Sequence, residues 1–340
     1  MNLLCLTYDQ LEEQFRLRYG RGAYHAAALY RAFYTTRSLD LSQIPEFEQS
    51  NALAEEVGRD LDVPLPELTR QIEADGVTKL QLRLSDGLAV ETVLIPMPHH
   101  ATVCVSCQVG CRMGCRFCET GQMGLLRQLT TDEIVAQVYM ARIRLGVAVR
   151  NVVFMGMGEP LDNFNAVVQA IRVLEDQRGL NIAKRRITVS TVGLVPGIER
   201  LSELNWPQLK LAVSLNATAN DQRSALMPIN QCFDLQELRT ALERYPLARG
   251  NVLLVEYVLI KNVNDTPEDA RRLAGYVAGL PVRINLIPYN PRQASPFEAP
   301  TQEEVHRFHQ ALIKVGLFVR LRRSKGAGIQ AACGQLGGNL

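Results

Sequence analysis

The sequence predicts an α/β fold: a partial (β/α)6 barrel of parallel strands, preceded by a small helical domain and a β-hairpin extension. Two observations carry this. From residue 101 onward, short apolar segments alternate with segments of helical periodicity, giving strand–helix units in series. Before residue 66 the apolar spacing is helical, and between 66 and 100 it switches to a period of two. The 340 residues are 47% hydrophobic and 21% charged, ample for one large domain and a small one. The boundaries read as 1–65 for the helical domain, 66–100 for the hairpin and linker, and 101–340 for the barrel with a C-terminal extension.

Taken in order, "TYDQLEEQFRLRYG" and "AYHAAALYRAFY" have apolar residues at helical spacing, separated by Gly20 and Gly22. "EFEQSNALAEEVGRDL" reads as a third helix. "LTRQIEAD", "TKLQLRLSDG" and "AVETVLIP" alternate as strands, joined by Asp-Gly turns at 75–76 and 86–87. The barrel strands are "ATVCVSCQ", "NVVFMGMG", "RRITVSTVG", "LKLAVSLNA", "VLLVEYVLI" and "VRINLIPYN". Thr130 with Glu133, Asp234 with Glu237 and Thr301 with Glu304 have capping-box spacing, and Thr266-Pro267 sets a cap before a first-turn proline.

Charge and composition exclude several function classes. The formal net charge of +2 leaves no whole-molecule field to grip a polyanion, so nucleic-acid contact would need local patches. Two patches qualify: Lys184-Arg185-Arg186, and Arg320, Arg322, Arg323 and Lys325; taken alone, each reads as a solvated face. No export signal opens the chain, and its longest apolar run is broken by Glu256, which predicts a cytoplasmic protein with no membrane contact. Thiols stay reduced in that compartment, so eight cysteines read as ligands or catalysts rather than disulfides.

Barrel enzymes collect their chemistry where strands end. The stretch "GCRMGCRFCETGQMG" follows the first barrel strand, with Cys111, Cys115 and Cys118 spaced Cys-x3-Cys-x2-Cys. Three cysteines merely packed in a core would not sit so close together among glycines and arginines, so two metal readings stand beside that one. Structural zinc would recruit Cys104 or Cys107 as a fourth ligand. A [4Fe-4S] cluster would take the three thiolates and keep one iron open to a small molecule. At the next strand end stands "GMGEP", which taken alone reads as a strand-end turn.

The trio, with Phe117 before its last cysteine, and "GMGEP" one unit later resemble the radical S-adenosylmethionine superfamily. "CVSCQVGC", "FMGMGEPLDN", "STVGLVPGI", "LMPIN", "NVND", "NLIPYN" and "AACGQL" further resemble, in order, the RlmN/Cfr family of radical-SAM RNA adenine methyltransferases. The resemblance implies a methyltransferase with one [4Fe-4S] cluster on Cys111, Cys115 and Cys118, and S-adenosylmethionine at Gly158, Glu159, Ser190, Ser214, Leu215, Asn216 and Asn290. It implies that Cys333 carries a methyl group, that a radical takes hydrogen from it, and that the product adds to C2 or C8 of an adenine. Cys104 then breaks the protein–RNA link by forming a disulfide with Cys333, and Glu91 accepts the ring proton. A relay of this kind makes chemical sense, because an aromatic C–H carbon is no nucleophile for a sulfonium.

The same resemblance implies 23S ribosomal RNA as substrate, transfer RNA as a second one, a flavodoxin- or ferredoxin-type electron donor, a monomer, and an RNA-binding role for the helical domain. Ala327 and Gln330 stand where the family has acids, Cys107 where it has serine, and Glu119 where it has a small residue; these loops leave the target open. The competing readings are a radical enzyme acting on another nucleotide or a non-RNA substrate, and a zinc or RNA-binding module without catalysis. Cys5, Cys107 and Cys232 read as structural.

Overall fold

A computed structural model describes residues 1–35, 39–291, 295–322 and 326–338. Its sheet begins with β1 (Glu67–Ala74), β2 (Val77–Arg83) and β3 (Ala89–Met97), an antiparallel meander. β3 pairs antiparallel with β4 (His100–Cys104), so the meander runs directly into the barrel sheet. β5 (Gln108–Cys111) and β6 (Gly124–Gln128) form a separate small ribbon. β7 (Val149–Phe154), β8 (Ile187–Thr191), β9 (Lys210–Ser214), β10 (Leu253–Leu259), β11 (Val282–Pro288) and β12 (Val319–Leu321) continue from β4, each parallel to its neighbour. Among the described residues the order β1-β2-β3-β4-β7-β8-β9-β10-β11-β12 ends in two unpaired edges, so the barrel is open.

Two details differ from the sequence reading. "ATVCVSCQ" is not one strand: β4 stops at Cys104, and β5 starts a new ribbon at Gln108. β12 is a strand that the periodicity does not signal, because it has three residues, none of them buried. Thr130, Asp234, Thr266 and Thr301 all cap helices, with backbone N–H to N3 carboxylate distances of 2.6–3.0 Å. The third N-terminal helix starts later than its periodicity, as a 3-10 turn at Pro45–Phe47 and then a helix over Asn51–Asp60.

The N-terminal helices, Tyr8–Tyr19 and Ala23–Thr35, share the barrel's hydrophobic core. Phe33 stacks on Tyr139 of the first barrel helix at 4.7 Å, and the Asp176 carboxylate accepts the Tyr8 N–H at 2.6 Å. No helix among the described residues is long and apolar enough to cross a membrane.

The strand ends at the top of the barrel are held by buried polar side chains. Arg223, fully buried, donates to the carbonyls of Leu215 and Val192 at 3.1 and 2.6 Å and to Asn230 Oδ1 at 3.0 Å. Asn264 donates to the carbonyls of Asn216 and Val258, both at 2.7 Å, and accepts the Ile260 N–H. Removing such a donor strands several buried acceptors, each costing about 1 kcal/mol or more. Arg223→Met is therefore expected to lower unfolding free energy by about 3 kcal/mol in urea titrations. Arg112→Met, whose ion pair with Asp162 lies half in solvent, is expected to cost under about 1 kcal/mol. Equal losses would mean that Arg223 does not pin the rim.

Candidate active site

At the C-terminal ends of the parallel strands lies a solvent-open cavity of about 830 Å³. Cys115 and Cys118 line it on one side, and Gly156, Gly158 and Glu159 follow from the end of β7. Ser190, Ser214 and Asn216 contribute from β8 and β9, and Cys333 from the C-terminal segment.

The cysteine loop sits on the β5–β6 ribbon, and its glycine content has a geometric reason. Gly110 has φ +77°, and a Cβ there would fall 1.8 Å from the Gly124 carbonyl oxygen of β6. Above the ribbon, Met113 and Phe117 pack with Leu226, Met227, Ile260 and Tyr289. Gln108 then ties ribbon to barrel: its Oε1 accepts the Glu159 N–H at 2.8 Å and its Nε2 donates to Asp162 at 2.7 Å. Gly158, at φ +101°, lies against Gln108 so closely that a Cβ would meet its side chain at 2.5 Å.

Cys111 and Cys115 are buried and Cys118 partly so, and all eight cysteines are free of disulfides. Burial pushes the Cys111 thiol up to about 12 and raises those of Cys115 and Cys118. A bound metal centre would draw the protons off these thiols, and three thiolates on one loop are a donor set that a cluster accepts. Among the described residues no three His, Cys, Asp or Glu side chains converge on one ion. A cluster does not require that, because each thiolate binds its own iron. Arg223, which the sequence reading did not single out, is the nearby cation that draws the Cys115 thiol back down.

The C-terminal segment is strapped across the loop. The Glu119 N–H donates to the Gly334 carbonyl at 2.8 Å and the Thr120 hydroxyl to the Leu336 carbonyl at 2.6 Å. Asn290 donates to the Cys333 carbonyl at 3.2 Å. Cys333 stays accessible because it faces the cavity, yet the protein around it pushes its thiol up to about 11. Cys104, at the end of β4, is buried; burial and the charge of neighbouring Cys333 push it up to about 12.

Other predicted residues sit differently. Glu91, on β3, does not line this cavity: its carboxylate pairs with Lys79 at 2.8 Å and accepts the Gly337 N–H at 2.8 Å. Leu215 is buried beneath the rim and Asn290 holds the strap. Asn216 lines the cavity at φ +59°, but its Oδ1 accepts the Val258 N–H at 2.8 Å. Glu256 also lines the cavity without having been predicted; a lone strand carboxylate gives no signal in sequence.

The profile of the Radical SAM superfamily matches residues 105–274. A protein of Geobacter sulfurreducens named dual-specificity RNA methyltransferase RlmN is 43% identical over 340 residues, covering 98% of this chain and 91% of the relative. The protein of that name from Lawsonia intracellularis is 40% identical, covering 99% and 96%. The chain belongs to the RlmN family of radical SAM methyltransferases. The crystal structure of a radical SAM methyltransferase from Sphaerobacter thermophilus superposes with a TM-score of 0.90 at 42% identity, covering 99% of each chain. The RlmN family lies within the radical SAM superfamily, which implies a [4Fe-4S] cluster and S-adenosylmethionine.

Glu159 gives this RlmN-family site a testable pH signature. Burial raises its carboxyl to about 7, against the N–H donors of Val192 and Leu161 at 2.9 and 3.1 Å, which favour the ionised form. A folded-state value above the unfolded one favours folding fully below about pH 4.5, and that contribution is lost as pH rises through 7. The loss is on the order of 3 kcal/mol. In cluster-free protein, Glu159→Gln should flatten the fall in melting temperature between pH 4.5 and 8. Parallel curves for wild type and variant would remove Glu159 as the titrating group.

Proposed function

We propose that the chain methylates a ring carbon, C2 or C8, of an adenine in ribosomal RNA and transfer RNA by way of a methyl group carried on Cys333. The observation that carries this reading is the joint facing of Cys115, Cys118 and Cys333 into one cavity, with Cys104 near enough to feel the charge of Cys333. The "dual-specificity" in the relatives' names suits two RNA classes.

In this reading Cys111, Cys115 and Cys118 hold the cluster. When bound, it supplies the electron that cleaves S-adenosylmethionine. Glu159 and the carbonyls around Gly158 receive the methionine ammonium, whose three donors need acceptors. Ser190 and Ser214 offer hydroxyls to the ribose and carboxylate, while Leu215, Asn216 and Asn290 hold the rim around the ligand. Cys333 receives the methyl group and presents it to the cavity. That carbon loses a hydrogen atom to the S-adenosylmethionine-derived radical and joins the adenine ring, and the adduct gives up one electron, which a bound cluster would take back. The Cys104 thiolate then attacks the Cys333 sulfur; the disulfide forms, the S–CH2 bond breaks, and the carbon leaves with the electron pair and is protonated to the methyl group of the released base. Glu91 takes the ring proton once the strap, which holds it through Gly337, shifts. An adenine must leave its stack to reach Cys333 inside the cavity, so the target lies in a loop or single strand. A flavodoxin- or ferredoxin-type protein is the proposed electron source, and a cytoplasmic monomer the proposed form.

Anaerobically reconstituted protein incubated with S-adenosylmethionine, a reductant and ribosomal or transfer RNA should yield methyladenosine by nucleoside mass spectrometry. Cys104→Ala should instead accumulate a covalent protein–RNA adduct that migrates slowly on denaturing gels. Normal turnover by Cys104→Ala without adduct would refute the role of Cys104. Cys118→Ser should lose the broad visible absorbance of the cluster.

A further inference from the structure

A second cavity, of about 1100 Å³, opens at the opposite end of the barrel, around the N-terminal ends of the parallel strands. Arg186, Lys210, Arg283, Arg320 and Arg322 line it, and among the described residues no carboxylate does. Neutral polar groups, Asn151 and Asn251 among them, complete its wall. The bottom of a parallel barrel is ordinarily a packed plug of branched apolar side chains. Here it is hollow and cationic.

Each of the two basic patches in the sequence contributes to this cavity. The first divides: Lys184 turns away to pair with Glu175 and lie over the Trp206 ring at 4.7 Å, Arg185 is exposed, and Arg186 faces the cavity. Of the second, Arg320 and Arg322 face it, while Arg323 and Lys325 lie outside the described residues. Lys210 of β9 and Arg283 of β11, absent from either patch, join them. Arg186, Lys210 and Arg283 are half-buried here, and Arg320 and Arg322 are exposed; on an ordinary solvated face such groups would be paired. Among the described residues none of the five has an ion-pair partner. The carboxylate that feels Arg322 is Glu256, one layer higher, where it accepts from Asn285 at 2.7 Å. Burial, then the charges of Arg186 and Arg283, depress the Lys210 ammonium, so the cations strain against one another.

We infer that this lower cavity is an anion site that binds phosphate groups, either of an RNA backbone or of a free polyphosphate. Five cations around one hollow match the spaced charges of a phosphodiester or a triphosphate better than a single carboxylate. The site does not depend on the proposed RNA substrate; only its assignment to backbone phosphates rests on that reading.

The test uses full-length, cluster-loaded protein and two probes: a labelled RNA stem-loop with adenines in its loop, and inorganic tripolyphosphate. Arg186→Gln/Lys210→Gln should bind RNA roughly tenfold more weakly, and its log K against log salt slope should be shallower by about 1 per lost contact. Its melting temperature should hold or rise, because charge repulsion is relieved; a merely structural Lys210 would lower it. Lys210→Arg should restore binding. If the double variant melts early, Arg320→Gln on the edge strand serves instead. Loss of tripolyphosphate binding with unchanged RNA binding would support the site with a free polyphosphate as its ligand. Wild type that binds tripolyphosphate but no RNA would support the site while overturning the proposed RNA substrate. Unchanged binding of both probes in the variants, or no binding of either probe by wild type, would overturn the site and leave the proposed function intact.

Discussion

Every parallel strand in this fold ends in backbone groups that have lost their ladder partners, and a cavity at those ends exists only if something else satisfies them. Here a few buried side chains do so. Arg223 serves the ends of β8 and β9, Asn264 the end of β10, and Gln108 the turn after β7. Because these groups are consumed internally, the rim stays open without collapsing, and the residues between them face the cavity. Motifs such as "LMPIN" and "NVND" thus serve as scaffolding: Asn230 orients Arg223, and Asn264 fixes Asn216.

Much of this was legible in the sequence. The period-two segments, the capping boxes and the cysteine spacing are local signals, and local signals survive folding. What escaped was non-local or short. β12 has three residues on a sheet edge, too few for a period. Arg223 looked like one helix arginine among many, and only the positions of three separate loops give it partners. The two basic patches sit more than 130 residues apart, so their meeting depends on how the barrel curves. The neighbourhood of Cys104 and Cys333 is of the same kind; resemblance, not spacing, pointed to it.

The C-terminal strap ties together parts of the chain that share no secondary structure. Its contacts run to the cysteine loop through Glu119 and Thr120, to β3 through Glu91, and to the end of β11 through Asn290. Together with the Gln335 amide, which donates to the Pro291 carbonyl at 3.1 Å, these anchors hold Cys333 at the cavity without burying it. Each is a single hydrogen bond, individually worth about 1 kcal/mol, so the segment can be released in steps rather than all at once.

An open barrel leaves raw strand margins, and such margins template unwanted pairing with other chains. Both outer strands here are guarded. β1 is largely exposed and carries Glu67, Arg70 and Glu73, while β12 is very short and bears Arg320. Replacing those charges with neutral β-branched residues would leave the cysteine-lined cavity untouched, though losing Arg320 would weaken the lower one, and would turn each margin into a seed for stacking. The colloidal behaviour of the protein is thus set at the two places farthest apart in its sheet.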